Sequence, residues 1–319
     1  MKEIYPGIFC AEIPLPNYPL GAGRMYVIKG DRNLIIDSGL NNSETKRVFL
    51  RELSSIGIQN FSNTDFFITH SHNDHMDLLD DLDIADSSVY CHKIAADMFS
   101  NGHDQDFKNR IRKFSIINGF DKDTIDMALH SIPLNEPHKN DINFVLVEPG
   151  QTLNYGIFNF NIIEAPGHSL DHLVLYESQH KLLFTGDHVS VFNPQITIHK
   201  YGDDILGAYL SSITGIAKLQ IDLTMPFHNK TIDSFSSRVE EIVEYYEGRF
   251  DEVIGLIKDK PQTAFQIAAQ LSWPFSWKKT RIYAHLSSLL VVCAYLEHMM
   301  SRGLTTKLIR QDIYYWSTT

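Results

Sequence analysis

Between His70 and Asp77 the sequence places three histidines and two aspartates, in the order His70, His72, Asp74, His75 and Asp77, directly after the apolar run "DFFIT". Imidazole and carboxylate are ordinary ligands of zinc and its first-row neighbours. In an extended segment residues i and i+2 project to one side, so His70 and His72 face the same way. Asp74 and His75 follow at the bend into an expected helix over "DHMDLLDDL". The loop can hold a metal ion, or it can be a polar surface turn. The elements around it decide.

Four further apolar runs stop at the same residue types. "NLIID" ends at Asp37, "FNIIEAPGH" at His168, "KLLFTGD" at Asp187 and "DLTMPFH" at His228. Runs this short, rich in Ile, Leu and Phe and bounded by Gly, Pro or Asp, read as buried strands. In layered α/β architectures functional groups collect where strands end and loops begin. A lone His or Asp at a strand end is usually a turn or cap residue. Five strand ends of this kind argue for one shared metal site.

The chain has 319 residues, 43% of them hydrophobic and 21% charged, a globular composition with length for one large domain or two ordinary ones. Its formal charge of −11 disfavours nucleic acid and anionic membrane as an average. From residue 248 onward, however, nine Lys/Arg stand against five Asp/Glu, a net of +4 that leaves −15 on the first 247 residues. Cys10, Cys91 and Cys293 form no C-x-x-C pair, so thiolates do not hold the metal and a disulfide framework is not expected. "MKEIYPGIFC" lacks the features of a signal peptide, and "LSSLLVVCAYLEHMM" reads as a buried helix and not a membrane span. The expected location is the cytoplasm.

The H-x-H-x-D-H arrangement, the later His168, the "GD" at 186–187 and the final His228 resemble the metallo-β-lactamase-fold hydrolases over roughly residues 1 to 230. The resemblance implies an α/β fold, a four-layer αββα sandwich with metals at one edge. It implies that His70, His72 and His168 hold a first divalent ion and that Asp74, His75 and His228 hold a second. Asp187 would bridge both, and Asp37 would support the ligand loop from behind. Zinc is the expected metal, with iron or manganese as alternatives. Four positions depart from the family habit: Asp77 stands where Gly is usual, Leu170 and Asp171 replace Pro-Gly, and Asn229 replaces Gly while tolerating a left-handed backbone.

Two ions about 3.5–4 Å apart lower the pKa of a shared water to about 7. The expected function is therefore a two-metal hydrolase that uses a metal-bridging hydroxide, oriented by the catalytic residue Asp74, on a small ester or thioester. Relatives that reduce oxygen carry Glu at the position of His72, and many antibiotic-hydrolysing members carry Cys at that of Asp187. A mononuclear-iron sulfur dioxygenase shares the ligand types and stays open. So do an endoribonuclease acting on single-stranded RNA and a non-catalytic regulator with a structural metal.

The catalytic domain is expected over residues 1–235, with a helical insertion at about 93–143. In that insertion Phe107, Ile111 and Phe114 share a helix face. It is either a peripheral helix pair or a substrate lid formed by Phe107, Arg110, Arg112 and Phe114, the arginines meeting an anionic substrate. Asn193 and Tyr201 are weaker pocket candidates. Residues 236–319 read as helix, helix, long helix and hairpin, which resembles the winged-helix-like extension of one branch of the superfamily. Lys278, Lys279, Arg281, Arg302, Lys307 and Arg310 could meet phosphates, yet the long helix is almost uncharged. Packing or homodimerisation is the favoured role for this part, with a small molecule as the substrate and no membrane partner.

Overall fold

The computed structural model describes the chain apart from residues 17–20, 105, 133, 135–136, 139–140 and 199–202. The chain divides into two compact units. The first comprises Met1–His103, Asn135–Pro194 and Ser212–Val239, and the second Asp104–Leu134, Gln195–Ser211 and Glu240–Thr319.

The first unit is built on two sheets. One runs in sequence order through β1 (Lys2–Tyr5), β2 (Ile8–Pro14), β3 (Ala22–Ile28), β4 (Asn33–Ile36), β5 (Thr64–Phe67), β6 (Val89–Cys91) and β7 (Phe144–Leu146). Its first four strands are antiparallel neighbours, and β4 to β7 pair in parallel. The other has the order β12-β11-β10-β9-β8, from β8 (Thr152–Tyr155), β9 (Phe158–Glu164), β10 (Leu173–Glu177), β11 (Leu182–Gly186) and β12 (Leu223–Pro226). Only its β11–β12 pair is parallel.

Strand alternation sorts the core into layers. Tyr26, Ile28, Leu34, Ile36 and Phe67 point between the sheets, sharing one core with Phe158, Phe160, Leu173, Leu175 and Phe184. Met25, Val27, Ile35 and Phe66 point to the opposite face. There they meet Val48, Phe49 and Leu53 of α1 (Ser43–Ser55). Two shorter helices follow, α2 (Asn73–Met76) and α3 (Lys93–Asn101), the latter adding Ala95 and Phe99 to the same cluster. Each such fully buried large side chain is worth about 1.5–3 kcal/mol. α1 starts at Asn42, whose side chain accepts the Thr45 N–H at 2.9 Å. On the outer face of the second sheet Val174 and Leu183 are also buried.

The helix expected over residues 74–82 forms only in part. α2 ends at Met76, and a 3₁₀ turn runs over Asp77–Asp81. The reason is a competing donor. Ser38 gives its N–H to the His75 carbonyl at 2.7 Å and its hydroxyl at 3.0 Å, occupying the acceptor an α-helix would offer four residues on.

The second unit contains α4 (Phe107–Ile117), α5 (Ile125–His130), α8 (Ala264–Ala268), α9 (Ile282–Ser301) and the hairpin β13 (Thr305–Arg310) with β14 (Ile313–Thr318). Two helices, α6 (Ile205–Ile216) and α7 (Phe235–Ile257), contribute residues to both units. α9 is the centre of this unit. Its Leu286, Leu289, Val291, Leu296 and Met299 are buried, and α4, α5, α8 and β13 pack against it. By length and composition α9 could cross a membrane, but its apolar surface is spent on this core. Residues 104–134 thus lie with the C-terminal residues, because the apolar face carrying Ile111 and Phe114 is buried in this unit. The hairpin turns at Gln311 and Asp312, both with positive φ (48° and 61°), the geometry a two-residue turn between twisted strands requires.

Asp204 ties two helices of this unit together. Its side chain accepts the Gly207 N–H at 2.7 Å and its carbonyl the Ala208 N–H at 2.9 Å, capping α6. From the last turn of α9, His298 Nδ1 lies 3.0 Å from the same carboxylate and the Ser301 hydroxyl donates to it at 2.6 Å. Burial opposes ionisation, but these donors outweigh it and hold the carboxyl at about 2. An unfolded Asp titrates at about 3.9. The folded value is the lower one, so the contribution to stability is full above the unfolded value and is lost as pH falls toward the folded one. Asn caps a helix about as well as Asp, so Asp204→Asn keeps the cap while removing the charge and one acceptor oxygen. Thermal melts should show the variant below wild type at neutral pH, with the gap narrowing toward the acid end of this window.

Candidate metal centre

The histidines and aspartates singled out by spacing meet at one edge of the first unit, on the loops that leave β4, β5, β9, β11 and β12. They form two groups. In the first, His72 Nδ1 lies 2.9 Å from both His70 Nε2 and His168 Nε2. The second gathers Asp74, His75, Asp187 and His228, with His228 Nε2 3.0 Å from Asp74 Oδ2. Asp187 Oδ2 lies between them, 3.4 Å from His75 Nε2 and from His228 Nε2 and 3.6 Å from His168 Nε2.

The outward ring nitrogens fix which nitrogen turns inward. His75 Nδ1 lies 2.9 Å from Asp37 Oδ2, and His228 Nδ1 3.2 Å from the Ala22 carbonyl oxygen. Both oxygens only accept, so each Nδ1 carries a proton and each Nε2 is turned toward the carboxylates, free to present its lone pair to a cation that displaces any proton held there. His75 Nε2 and Asp187 Oδ1 are buried with no hydrogen-bond partner among the described residues. Ring nitrogens aimed at carboxylates in a buried place need positive charge between them, either a proton on the ring or a bound cation.

Electrostatics divide the groups. Burial, reinforced by the neighbouring rings, pushes His70 well below the usual imidazole range and His168 down to about 3. Burial also lowers His72. Three neutral imidazoles therefore converge in the first group. In the second, burial disfavours the imidazolium, yet Asp37, Asp187 and Asp74 outweigh it at His75 and raise its pKa. His228 is raised against its own burial, chiefly by its hydrogen bond with Asp74. Asp74 and Asp187 are lowered despite burial, His75 being the largest opposing influence on each. The negative field that would hold protons on these rings is the field that binds a divalent cation. The donor types, three imidazoles in one group and two carboxylates with two imidazoles in the other, fit a binuclear metal site.

Asp37 braces this edge. It has a left-handed backbone (φ 59°), is 1% exposed, and accepts from the Thr69 N–H at 2.9 Å as well as from His75. Gly186 is required for a different reason. A Cβ there would lie 2.8 Å from Thr69 Oγ1 and 2.9 Å from His172 Nε2, and its φ is 49°. Asn229 has φ 67°, the left-handed backbone its residue type suggested.

Asp77 lies 3.3 Å from His138 Nε2, a pairing within the first unit that the sequence did not suggest. The candidate lid residues belong to the second unit. There Phe114 is buried, Arg110 pairs with Asp104 at 2.7 Å and Arg112 with Asp126 at 2.9 Å, while Phe107 opens α4. Asn193 Oδ1 accepts from Arg238 Nη2 at 2.6 Å, and Tyr201 falls outside the described residues. The sequence singles out neither Thr69 nor His172. Only "HSLDH", with a second histidine four residues after His168, carried any signal for His172.

The family model described as the metallo-beta-lactamase superfamily matches residues 18–228. A Bacillus subtilis protein named "Probable metallo-hydrolase YqjP" is 23% identical over 275 residues, covering 83% of this chain and 84% of that protein. The Aspergillus niger "Lactamase-like protein adaB" is 25% identical over 118 residues, 37% of this chain and 35% of its own length. Among solved structures, a metallo-beta-lactamase family protein from Thermus thermophilus aligns with TM-score 0.78 and 19% identity, over 99% of this chain and 100% of that one. A beta-lactamase domain protein from Burkholderia ambifaria aligns with TM-score 0.79 and 16% identity, over 100% of this chain and 93% of that one.

Asp37→Asn tests the brace. An amide in place of the carboxylate sets an N–H donor against either the Thr69 N–H or the His75 Nδ1–H. The expected result is a loss of divalent-ion affinity of about 10–100-fold at the group containing His75. Titration of metal-stripped protein against a chromophoric chelator measures it.

Proposed function

The chain belongs to the metallo-beta-lactamase superfamily, and from that premise we propose that it is a two-metal hydrolase acting on a small ester or thioester. The observation that carries the reading is Asp187 Oδ2, within 3.4–3.6 Å of ring nitrogens from both donor groups. A structural zinc site is usually closed by four ligands around one ion. Six side chains around a shared seventh, the Asp187 carboxylate, are better suited to two.

His70, His72 and His168 would hold one ion and Asp74, His75 and His228 the other, with Asp187 shared. When bound, two such ions supply Lewis acidity and bring the pKa of a water to about 7. The chain's own residues do the rest. Asp74, buried and held ionised beside His228, orients the attacking water and accepts its hydrogen bond. Asp37 keeps the His75 proton on Nδ1. No thiolate competes at neutral pH, since burial pushes Cys10 up to about 11 and Cys91 up to about 12. Zinc is the proposed metal, because it binds His nitrogen together with Asp oxygen and most of the donors here are imidazoles.

Residues 236–319 are proposed to form a helical linker and a winged-helix-like packing or dimerisation module. Its long helix α9 is buried over most of its length, which supports packing over a role in a nucleic-acid groove. A cytoplasmic location is proposed on the three free cysteines, two of them buried.

Metal-loaded protein should be assayed on thioesters, simple esters, lactones, phosphodiesters and single-stranded RNA. Turnover is expected on an ester or thioester, and Asp74→Asn should lower kcat/KM on it by ~100-fold or more, about 2.7 kcal/mol of transition-state stabilisation. Activity surviving in Asp74→Asn at wild-type level would reject the assigned role. Salt-sensitive RNA cleavage, abolished in a folded protein by Lys278→Glu, Lys279→Glu and Arg281→Glu together, would replace the hydrolase with a nuclease.

A further inference from the structure

Two buried histidines at this edge, His172 and His188, are outside both donor groups, and His172 is the one that touches a donor ring. His172 opens the path into β10, four residues after His168, and is 0% exposed. Its Nε2 accepts the backbone N–H of Asp187 at 3.1 Å. Its ring stacks on that of His70, with centroids 4.7 Å apart and planes 25° from parallel. It meets His168 edge-on at 6.2 Å. Its carbonyl accepts the Ala165 N–H at 2.8 Å, closing the loop that carries His168. The next residue, Leu173, gives its N–H to the Thr69 carbonyl at 2.8 Å, tying that loop to the segment entering His70.

We infer that His172 is a positioning residue of the metal centre, whose ring, unprotonated at Nε2, orients the Asp187 peptide and the His70 ring together. The inference rests on the two-metal reading. A backbone N–H needs an acceptor, so the ring carries its proton on Nδ1. That Nδ1 is buried with no partner among the described residues. An apolar side chain would fill the same space without burying an unpaired donor, so packing alone does not account for a histidine. The Nε2 acceptor does. It fixes the plane of the Asp187 peptide, and with it the direction in which the shared carboxylate leaves the backbone. The stack on His70 fixes one ring of the first group from the other side. The tight fit at Gly186, whose added Cβ would lie 2.9 Å from His172 Nε2, shows how closely the acceptor is seated. Partners that orient ligands in this way commonly set metal affinity by about 10–100-fold.

Two substitutions separate the acceptor from the packing. His172→Phe keeps a stacking ring and removes the acceptor. His172→Gln places an amide oxygen near the position of Nε2 and removes the ring. Zinc and cobalt affinities of stripped protein are read by chelator competition, the cobalt absorption spectrum reports ligand geometry, and melting of the stripped proteins checks the fold. The expected result is that His172→Phe binds both ions about 10–100-fold more weakly with an altered cobalt spectrum, while His172→Gln keeps wild-type affinity at the group of Asp74, His75 and His228 and shows only a smaller loss at the group of His70, whose stacking partner it removes. If His172→Phe does not fold, His172→Asn, whose amide is too short to reach, takes its place with the same expectation. Wild-type affinity in the variant lacking the acceptor, or an equal loss in both variants, overturns the inference alone. A wild-type chain that binds no second ion overturns the two-metal reading and this inference with it.

Discussion

Three carboxylates and several imidazoles crowd against one another at the edge of the first unit, with ring nitrogens turned toward carboxylate oxygens. Asp37 and Asp74 are each 1% exposed, and His70 and His75 are 0% exposed. Burying charge without a partner costs several kcal/mol per ion even after relaxation. The arrangement is tolerable because Asp37 directs the His75 proton outward and because cations can occupy the space in which Asp187 Oδ2, His75 Nε2 and His228 Nε2 converge. Everything else at this edge serves to hold that convergence.

The parallel pairs do the placing. β4 and β5 lie side by side in parallel, so Asp37 and the loop of His70 to His75 emerge at the same end of one sheet. β11 and β12 do the same in the other, bringing out Asp187 and His228. The shared core between the sheets brings these ends together. Backbone contacts then set the distances: Ser38 takes the His75 carbonyl, and the Phe227 N–H donates to the Gly186 carbonyl at 3.0 Å. Phe227 also packs on the His75 ring at 4.0 Å. By contrast, Asp65 lies in the same strand β5 away from the metal edge, where Arg32, Tyr155 and the Ser88 N–H engage it. Position along the strand, and not residue type, decides which Asp is structural.

Much of this was legible in the sequence because it is local. Short apolar runs ending in His or Asp correspond to β4, β5, β9, β11 and β12, and the alternation of "LTTKLIRQDIYYW" corresponds to the final hairpin. What was not legible depends on contacts between distant segments. The helix expected over 74–82 is interrupted because Ser38, remote in sequence, captures a carbonyl. The face of Phe107, Ile111 and Phe114 was recognisable as amphipathic, but periodicity does not say which partner it buries against. In the structure residues 104–134 group with the C-terminal residues. His172 looked like any loop histidine, since its role rests on the Asp187 N–H fifteen residues away. Gly186 looked like part of a turn until the close approach of Thr69 and His172 gave it a steric reason.

The central claim is that Asp187 lies between two ions, one held by three histidines and the other by Asp74, His75 and His228. Crystals grown with zinc, with diffraction recorded on either side of the zinc absorption edge, test it directly. The account expects two anomalous peaks in each chain about 3.5–4 Å apart, one in each donor group and both within bonding distance of the Asp187 carboxylate. A single peak under excess zinc, or two peaks with Asp187 turned away from both, would contradict it.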